Sequence, residues 1–267
     1  MHTGNYYKDQ KKDFAFIANQ YNKDQTHRLV QLWAEFVNSP KRGVKEIPFI
    51  LAQLSSFKNP RIFDAALRSG STSINLKNSG IQRVVSNEID KQFIKLAKQQ
   101  AVDEDVSLSI TSYDWTSRAI LNAGTFDGVL CLGNSLTYLF ELPERQLAIK
   151  HFKSLLSENG KLLIDERNYA HHFTGKGEHF KFSGEFVYCG SDKISVRPYE
   201  ITPDYVIIEY ARKHNHLKGY LMLYPFKEGE MHALLKEAGF NHIEVFGNYQ
   251  PKFRKQDPEF LTYVCSD

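Results

Sequence analysis

The sequence predicts an α/β fold with a doubly wound, mostly parallel central sheet, on three observations. Between about residues 61 and 165, short apolar segments alternate with amphipathic ones. The apolar segments are rich in Val, Ile and Leu without polar alternation, the pattern of strands covered on both faces by helices. The amphipathic segments between them are long enough for right-handed helical crossovers.

In chain order, residues 10–38 carry apolar positions at helical spacing and read as two helices interrupted near Tyr21–Gln25. Pro40 and Gly43 break that pattern, and Ile47–Leu54 resumes it. Strands follow at Arg61–Asp64, Arg83–Asn87, Leu108–Ile110, Phe126–Leu132 and Lys161–Asp165. Helices separate them at Ile74–Asn78, Lys91–Gln100 and Arg145–Leu156. After Asn168 the texture changes. Phe186–Tyr188, Ile194–Val196, Tyr205–Ala211 and Gly219–Leu223 alternate like antiparallel strands, and Lys227–Ala238 reads as a helix closed by Gly239. His242–Phe246 and Phe260–Val264 complete the chain. The expected organisation is an N-terminal helical lid (1–57), a Rossmann-like cofactor-binding core (58–169), an antiparallel substrate-side insertion (170–225), and a helix and strands completing the core (226–267).

Composition excludes several classes. The 267 residues are 42% hydrophobic with net charge +3, too mild and too dispersed a basic excess to imply a nucleic-acid partner. Three widely spaced cysteines give no disulfide framework and no C-x-x-C pair, so a reducing, cytoplasmic setting is expected. No apolar run approaches the ~20 residues of a membrane span. His171-His172 and His214-x-His216 lack a third ligand in view and read as surface histidines, so no metal is expected.

Ligands of open α/β sheets bind beyond the carboxyl ends of the strands. Polar residues stand at five of those ends: Asp64, Glu88, Asp114-Trp115, Gly133-Asn134-Ser135 and Asp165-Glu166-Arg167-Asn168-Tyr169. An acid after the second strand suits two ribose hydroxyls, as Glu88 can. Asp114 can accept from an adenine amine, with Trp115 offering a neighbouring donor and a stacking face. Arg167, at a strand end, presents a planar fork that matches a carboxylate. Helix capping and structural ion pairs are the alternative roles for Asp64, Glu88 and Arg167.

The segment FDGVLCLGNSLTYL (126–139) resembles FDAVICLGNSFxHL of the glycine and sarcosine N-methyltransferase family. LLIDERNY (162–169) is similar to that family's LLIDxRNY, and Tyr188-Cys-Gly-Ser-Asp192, Tyr224-Pro225 and Phe246-Gly-Asn follow its C-terminal pattern. The resemblance covers nearly the whole chain. It implies a class I methyltransferase fold, S-adenosylmethionine (SAM) as cofactor with S-adenosylhomocysteine (SAH) as product, and a small amino acid or amine as substrate. By the same resemblance, Arg167 would bind the acceptor carboxylate and Asn134 would orient its amine, with Tyr210 and Tyr188 in an aromatic wall. Arg42 would grip the carboxylate of SAM. Tyr21, Trp33, Ala66, Glu88, Asp114, Trp115 and Leu132 match cofactor-contacting positions, flanked by Asp64, Gly70 and Ser135.

The first loop departs from that family. Where its pattern is D-x-A-C/T-G-T-G, this chain has Asp64-Ala-Ala-Leu-Arg-Ser-Gly70, placing Arg68 at the first glycine. A glycine there permits φ > 0, so an arginine either strains the loop or redirects it. Phe36 stands where some members place a tyrosine. Three functions are therefore open: N-methylation of glycine, sarcosine or a close relative; methylation of another small amine or amino acid; and a non-catalytic SAM-binding relative.

Overall fold

A computed structural model describes residues 14–37, 39–172 and 192–267. The predicted strand over 186–188, with Tyr188, lies outside them.

The chain opens with α1 (Phe14–Val37) and α2 (Ser39–Gln53) and then enters the alternating region. There β1 (Ile62–Asp64), α3 (Ser71–Asn78), β2 (Val84–Asn87), α4 (Lys91–Asp103), β3 (Ser109–Thr111), β4 (Phe126–Cys131), α5 (Leu142–Ser154) and β5 (Leu156–Arg167) follow in order. The short helix α6 (Tyr169–His172) precedes β6 (Ile194–Ile201), β7 (Val206–Arg212) and β8 (Lys218–Leu223). Then come α7 (Glu230–Glu237), β9 (His242–Gly247) and β10 (Phe260–Ser266). The main sheet runs β3-β2-β1-β4-β5-β10-β9, and β6-β7-β8 form a second, antiparallel sheet. Strands β1 to β5 are mutually parallel, and β10 runs antiparallel between β5 and β9. This is the predicted doubly wound α/β fold with a small antiparallel insertion and N-terminal helices.

The order places β1 and β4 side by side at the centre, with the chain leaving β1 for β2 on one side and β4 for β5 on the other. Loops after adjacent strands diverge there and leave a crevice. Strand β1 is buried throughout and β4 at every position but Asp127, and Phe63, Phe126, Phe152 and Ile164 belong to one continuous core. Asp90 starts α4 by accepting from the N–H groups of Gln92 and Phe93, and Gly239 closes α7 at φ +93°.

Two expectations at the N-terminus are corrected. Residues 14–37 form one helix, not two interrupted near Tyr21–Gln25. Asn22, in that polar stretch, hydrogen-bonds the backbone of Met222 on β8, so the helix is held by the second sheet where its own pattern is weakest. Nor do Pro40 and Gly43 break α2. Pro40 sits in the first turn, where no intrahelical N–H is lost. Gly43 faces Asn75 of α3 so closely that a Cβ would meet its side chain at 2.9 Å. The glycine lets α2 lie against α3. Gly219 does the same for α1, since a Cβ there would stand 3.0 Å from Leu29.

No helix among the described residues is long and apolar enough to cross a membrane.

Candidate active site

Beyond the carboxyl ends of β1 to β4 lies a cleft of about 840 Å³, within the range of small-molecule sites. Its floor comes from Ala65, Ala66 and Arg68 after β1, Glu88 to Gln92 after β2, Tyr113 to Thr116 after β3, and Ser135, Tyr138 and Leu139 after β4. Its roof comes from Asn19, Asn22, Lys23 and Thr26 of α1. Five residues singled out in the sequence therefore meet in one place: Ala66, Glu88, Asp114, Trp115 and Ser135.

The loop after β1 is tied down by its own polar groups. Ser73 donates to Asp64 at 2.6 Å and shares a hydrogen bond with Ser86 at 2.8 Å, while Ala66 N–H donates to Asp64 at 3.3 Å. Burial pushes the Asp64 carboxyl up to about 6, against the opposing pull of Ser73, Ala66 and Arg42. Asp64 thus braces the loop from within. Gly70 takes φ +88° before α3, and a Cβ there would press on Ile74 and Ala97.

Arg68 decides the question the sequence left open. It sits at φ +49°, so the arginine accepts the left-handed conformation and the loop keeps its path, at roughly 1–3 kcal/mol of strain. Its backbone N–H donates to Glu88 at 3.1 Å. Its guanidinium lies over the rings of Tyr138 (4.4 Å), Phe93 (4.7 Å) and Trp33 (5.8 Å).

Glu88 is nearly buried and accepts from Arg68 N–H and Asp90 N–H, one on each oxygen. Each oxygen keeps a second lone pair. Asp114 is exposed at the rim, its Oδ1 accepting from the N–H and hydroxyl of Thr116. One expectation changes here. The Trp115 indole N–H is already donated to Ala65 carbonyl oxygen at 2.9 Å, so Trp115 offers the cleft a ring and not a donor.

Deeper in the fold, Arg42 bonds both oxygens of the fully buried Glu46 through Nε, at 3.0 and 2.9 Å. Glu46 also accepts from Thr72 at 2.7 Å and Tyr249 at 3.3 Å. The terminal nitrogens of Arg42 stand beside Gly133, at the end of β4. Arg42 is thereby held between the loops after β1 and β4.

At the ends of β4 and β5 the side chains interlock. Asn134, at φ +64°, donates its backbone N–H to Asp165 at 2.6 Å, and Gly133 N–H donates to the same carboxylate. Its side-chain amide donates to Tyr169 Oη (2.7 Å) and Thr137 Oγ1 (3.2 Å), while its Oδ1 accepts Arg167 N–H (2.9 Å). The amide orientation is fixed by three partners. Arg167 is buried with its guanidinium 4.8 Å from the Phe260 ring centre. Burial holds the neighbouring Glu166 carboxyl up to about 8, although Tyr263 donates to it at 2.6 Å.

The remaining aromatic positions are dispersed. Tyr21 packs with Ala18, Ile207 and Met222 against the second sheet, away from the cleft lining. Trp33 and Phe36 pack on Tyr210, at 5.5 and 4.9 Å between ring centres, next to Arg68. Leu132 is core, and Ser135 donates its hydroxyl to Leu132 carbonyl oxygen. His214 and His216 lie in the β7–β8 hairpin, and His172 Nε2 is 3.0 Å from Pro258 carbonyl oxygen. Among the described residues no three potential ligands gather for a metal.

The sequence pointed to a helical lid over residues 1–57 but not to the four residues with which α1 lines the cleft. Asn19, Asn22, Lys23 and Thr26 recur at i, i+3, i+4 and i+7, the spacing of one helical face, so a polar stripe was the available signal. It was obscured because two of them, Asn22 and Lys23, fall in the stretch that suggested a break.

Known proteins match this geometry. The family described as Methyltransferase domain matches residues 62–160, the segment that builds the cleft floor. The glycine/sarcosine N-methyltransferase of Aphanothece halophytica is 28% identical over 248 residues, spanning 93% of this chain and 91% of that protein. The glycine/sarcosine N-methyltransferase of Parasynechococcus marenigrum is 29% identical, spanning 93% and 86%. Among solved structures, a SAM-dependent methyltransferase from Clostridium acetobutylicum superposes with a TM-score of 0.69 at 17% identity, over 92% of this chain and 98% of that one. The cleft's volume, its carboxylates at the ends of β2 and β3 and its small residues after β1 fit an adenosine-bearing cofactor. The chain is a SAM-dependent methyltransferase with the class I fold, and it is similar along nearly its whole length to the glycine/sarcosine N-methyltransferases.

Proposed function

We propose that the protein methylates the amine of glycine, sarcosine or a closely related small amino acid. The observation that carries this reading is the interlock of Asn134 and Arg167. An amide with a fixed orientation and a buried guanidinium stand at adjacent strand ends, and relatives matching 93% of the chain are named for this activity.

The residues divide the work between the cleft and the neighbouring strand ends, where Arg42, Asn134 and Arg167 stand outside the cleft's own lining. Glu88 and Asp114 hold the nucleoside, and Arg42, braced by Glu46, holds the carboxylate of SAM. SAM itself supplies a methyl group on a sulfonium, whose departure needs no acid. Arg167 binds the acceptor carboxylate as a bidentate fork. Asn134 Oδ1 has a second lone pair with which to accept an N–H of the acceptor amine. Because the amine must arrive unprotonated, the chain's task is to align it and exclude water, a proximity effect of up to ~7–11 kcal/mol.

The loop path favours a working site over a non-catalytic one. With Arg68 in place, Gly70 still turns at φ +88° and Glu88 still accepts two backbone N–H groups.

The test is a panel of acceptors with methyl-labelled SAM, run from pH 6 to 9. Glycine or sarcosine should be labelled, at a rate that rises with pH. Analogues without a free carboxylate should remain unlabelled, and Arg167→Lys should raise KM for the acceptor without altering SAM affinity. Labelling confined to amines without a carboxylate would overturn the assignment.

A further inference from the structure

Arg68 is a permanent cation inside the cofactor cleft, and no part of the mechanism above uses it. It is not free to swing away. Its backbone is fixed in the left-handed region and bonded to Glu88, and three aromatic rings surround its guanidinium. Such a box of ring faces suits one organic cation, and here the chain fills it with its own. The carboxylates that face the guanidinium are Glu88 and Asp90. Glu88 already accepts two N–H groups, and Asp90 caps α4, so both are partly committed.

A second cation entering the cleft meets a like charge in a partly buried, low-dielectric setting. The cofactor is cationic at sulfur before methyl transfer and neutral at sulfur after it. We propose that Arg68 is a specificity-determining residue of the cofactor site, which discriminates by charge and weakens SAM relative to SAH. The enzyme is thereby tuned to strong inhibition by its own product. This inference rests on the cleft being the cofactor site and is independent of the acceptor's identity.

The experiment is calorimetric titration of SAM and SAH into the full-length protein and into Arg68→Gln, Arg68→Met and Arg68→Lys. The readout is the ratio of the two dissociation constants. In Arg68→Gln and Arg68→Met the SAM Kd should fall about tenfold while the SAH Kd stays within about twofold. Arg68→Lys, which keeps the charge, should retain the ratio of the unaltered protein. Because each ratio is measured within one protein, a partly unfolded variant still reports it. Equal tightening of both ligands would mean that Arg68 obstructs by size, and equal weakening that it binds a group common to both. Either result, or an unchanged ratio, overturns the proposal. Failure of both ligands to bind every variant and the unaltered protein would instead overturn the cofactor site itself.

Discussion

Asn22 on α1 and Met222 on β8 exchange two hydrogen bonds: Asn22 Nδ2 donates to Met222 carbonyl oxygen, and Met222 N–H donates to Asn22 Oδ1, each at 2.8 Å. A side-chain amide thus mimics one rung of a β-ladder. It couples the helix that roofs the cleft to the edge of the second sheet. Asn22→Ala removes both bonds from a buried backbone segment. Despite the better helix propensity of alanine, it should destabilise the fold by about 1–3 kcal/mol. Denaturant unfolding with an unchanged m-value would show this, and a loss below about 0.5 kcal/mol would mean the rung is not stabilising.

Glu88 offers the cleft a buried carboxylate already oriented by Arg68 N–H and Asp90 N–H. Glu88→Ala should raise the Kd of both SAM and SAH, by about 10- to 100-fold, because hydrogen bonds to a charged acceptor contribute about 1.5–3 kcal/mol, and that of SAM somewhat more, because Glu88 also faces the Arg68 guanidinium. Equilibrium titration of both ligands checks the size and the order of the two effects.

Tyr169 accepts from the Asn134 amide at 2.7 Å and helps to point Asn134 Oδ1 toward Arg167 N–H. Tyr169→Phe leaves Thr137 as the remaining acceptor for that amide nitrogen. The kcat should drop about 3- to 10-fold with SAM Kd unchanged. A shift confined to SAM binding would place Tyr169 on the cofactor side.

Glu166 is buried with its carboxyl raised from 4.5 to about 8. Its folded pKa exceeds its unfolded pKa. Glu166 therefore favours the folded state most below about pH 4.5, and this contribution is lost as pH rises toward 8. Glu166→Gln removes that dependence. Its stability relative to the unaltered protein should rise between pH 4.5 and 8, by at most about 1.4 kcal/mol per pH unit. Parallel unfolding curves for the two proteins across that range would contradict the raised value.

The fold was legible because its signal is local. Unbroken apolar strands such as Phe126–Cys131, spaced by amphipathic helices such as Lys91–Asp103, specify a covered parallel sheet from neighbouring residues alone. The strand-end residues followed, since the end of a strand marks the mouth of the crevice. That logic reached Glu88, Asp114, Trp115 and Ser135, while Ala66 came from the family resemblance.

What only the tertiary structure decided depends on partners far apart in the chain. The continuity of α1 rests on Asn22 meeting Met222, 200 residues away. Trp115 loses its role as a donor to the cleft because Ala65, 50 residues earlier, takes its N–H. The conformation of Arg68 could not be read from the sequence, where an arginine stands at a position that the resembled family fills with glycine. It is settled by rings from three other elements, Trp33, Phe93 and Tyr138, which close around the guanidinium. Periodicity reports which face of an element is buried. It carries no record of which polar group will stand opposite once the elements pack, and that pairing fixes the roles of these residues.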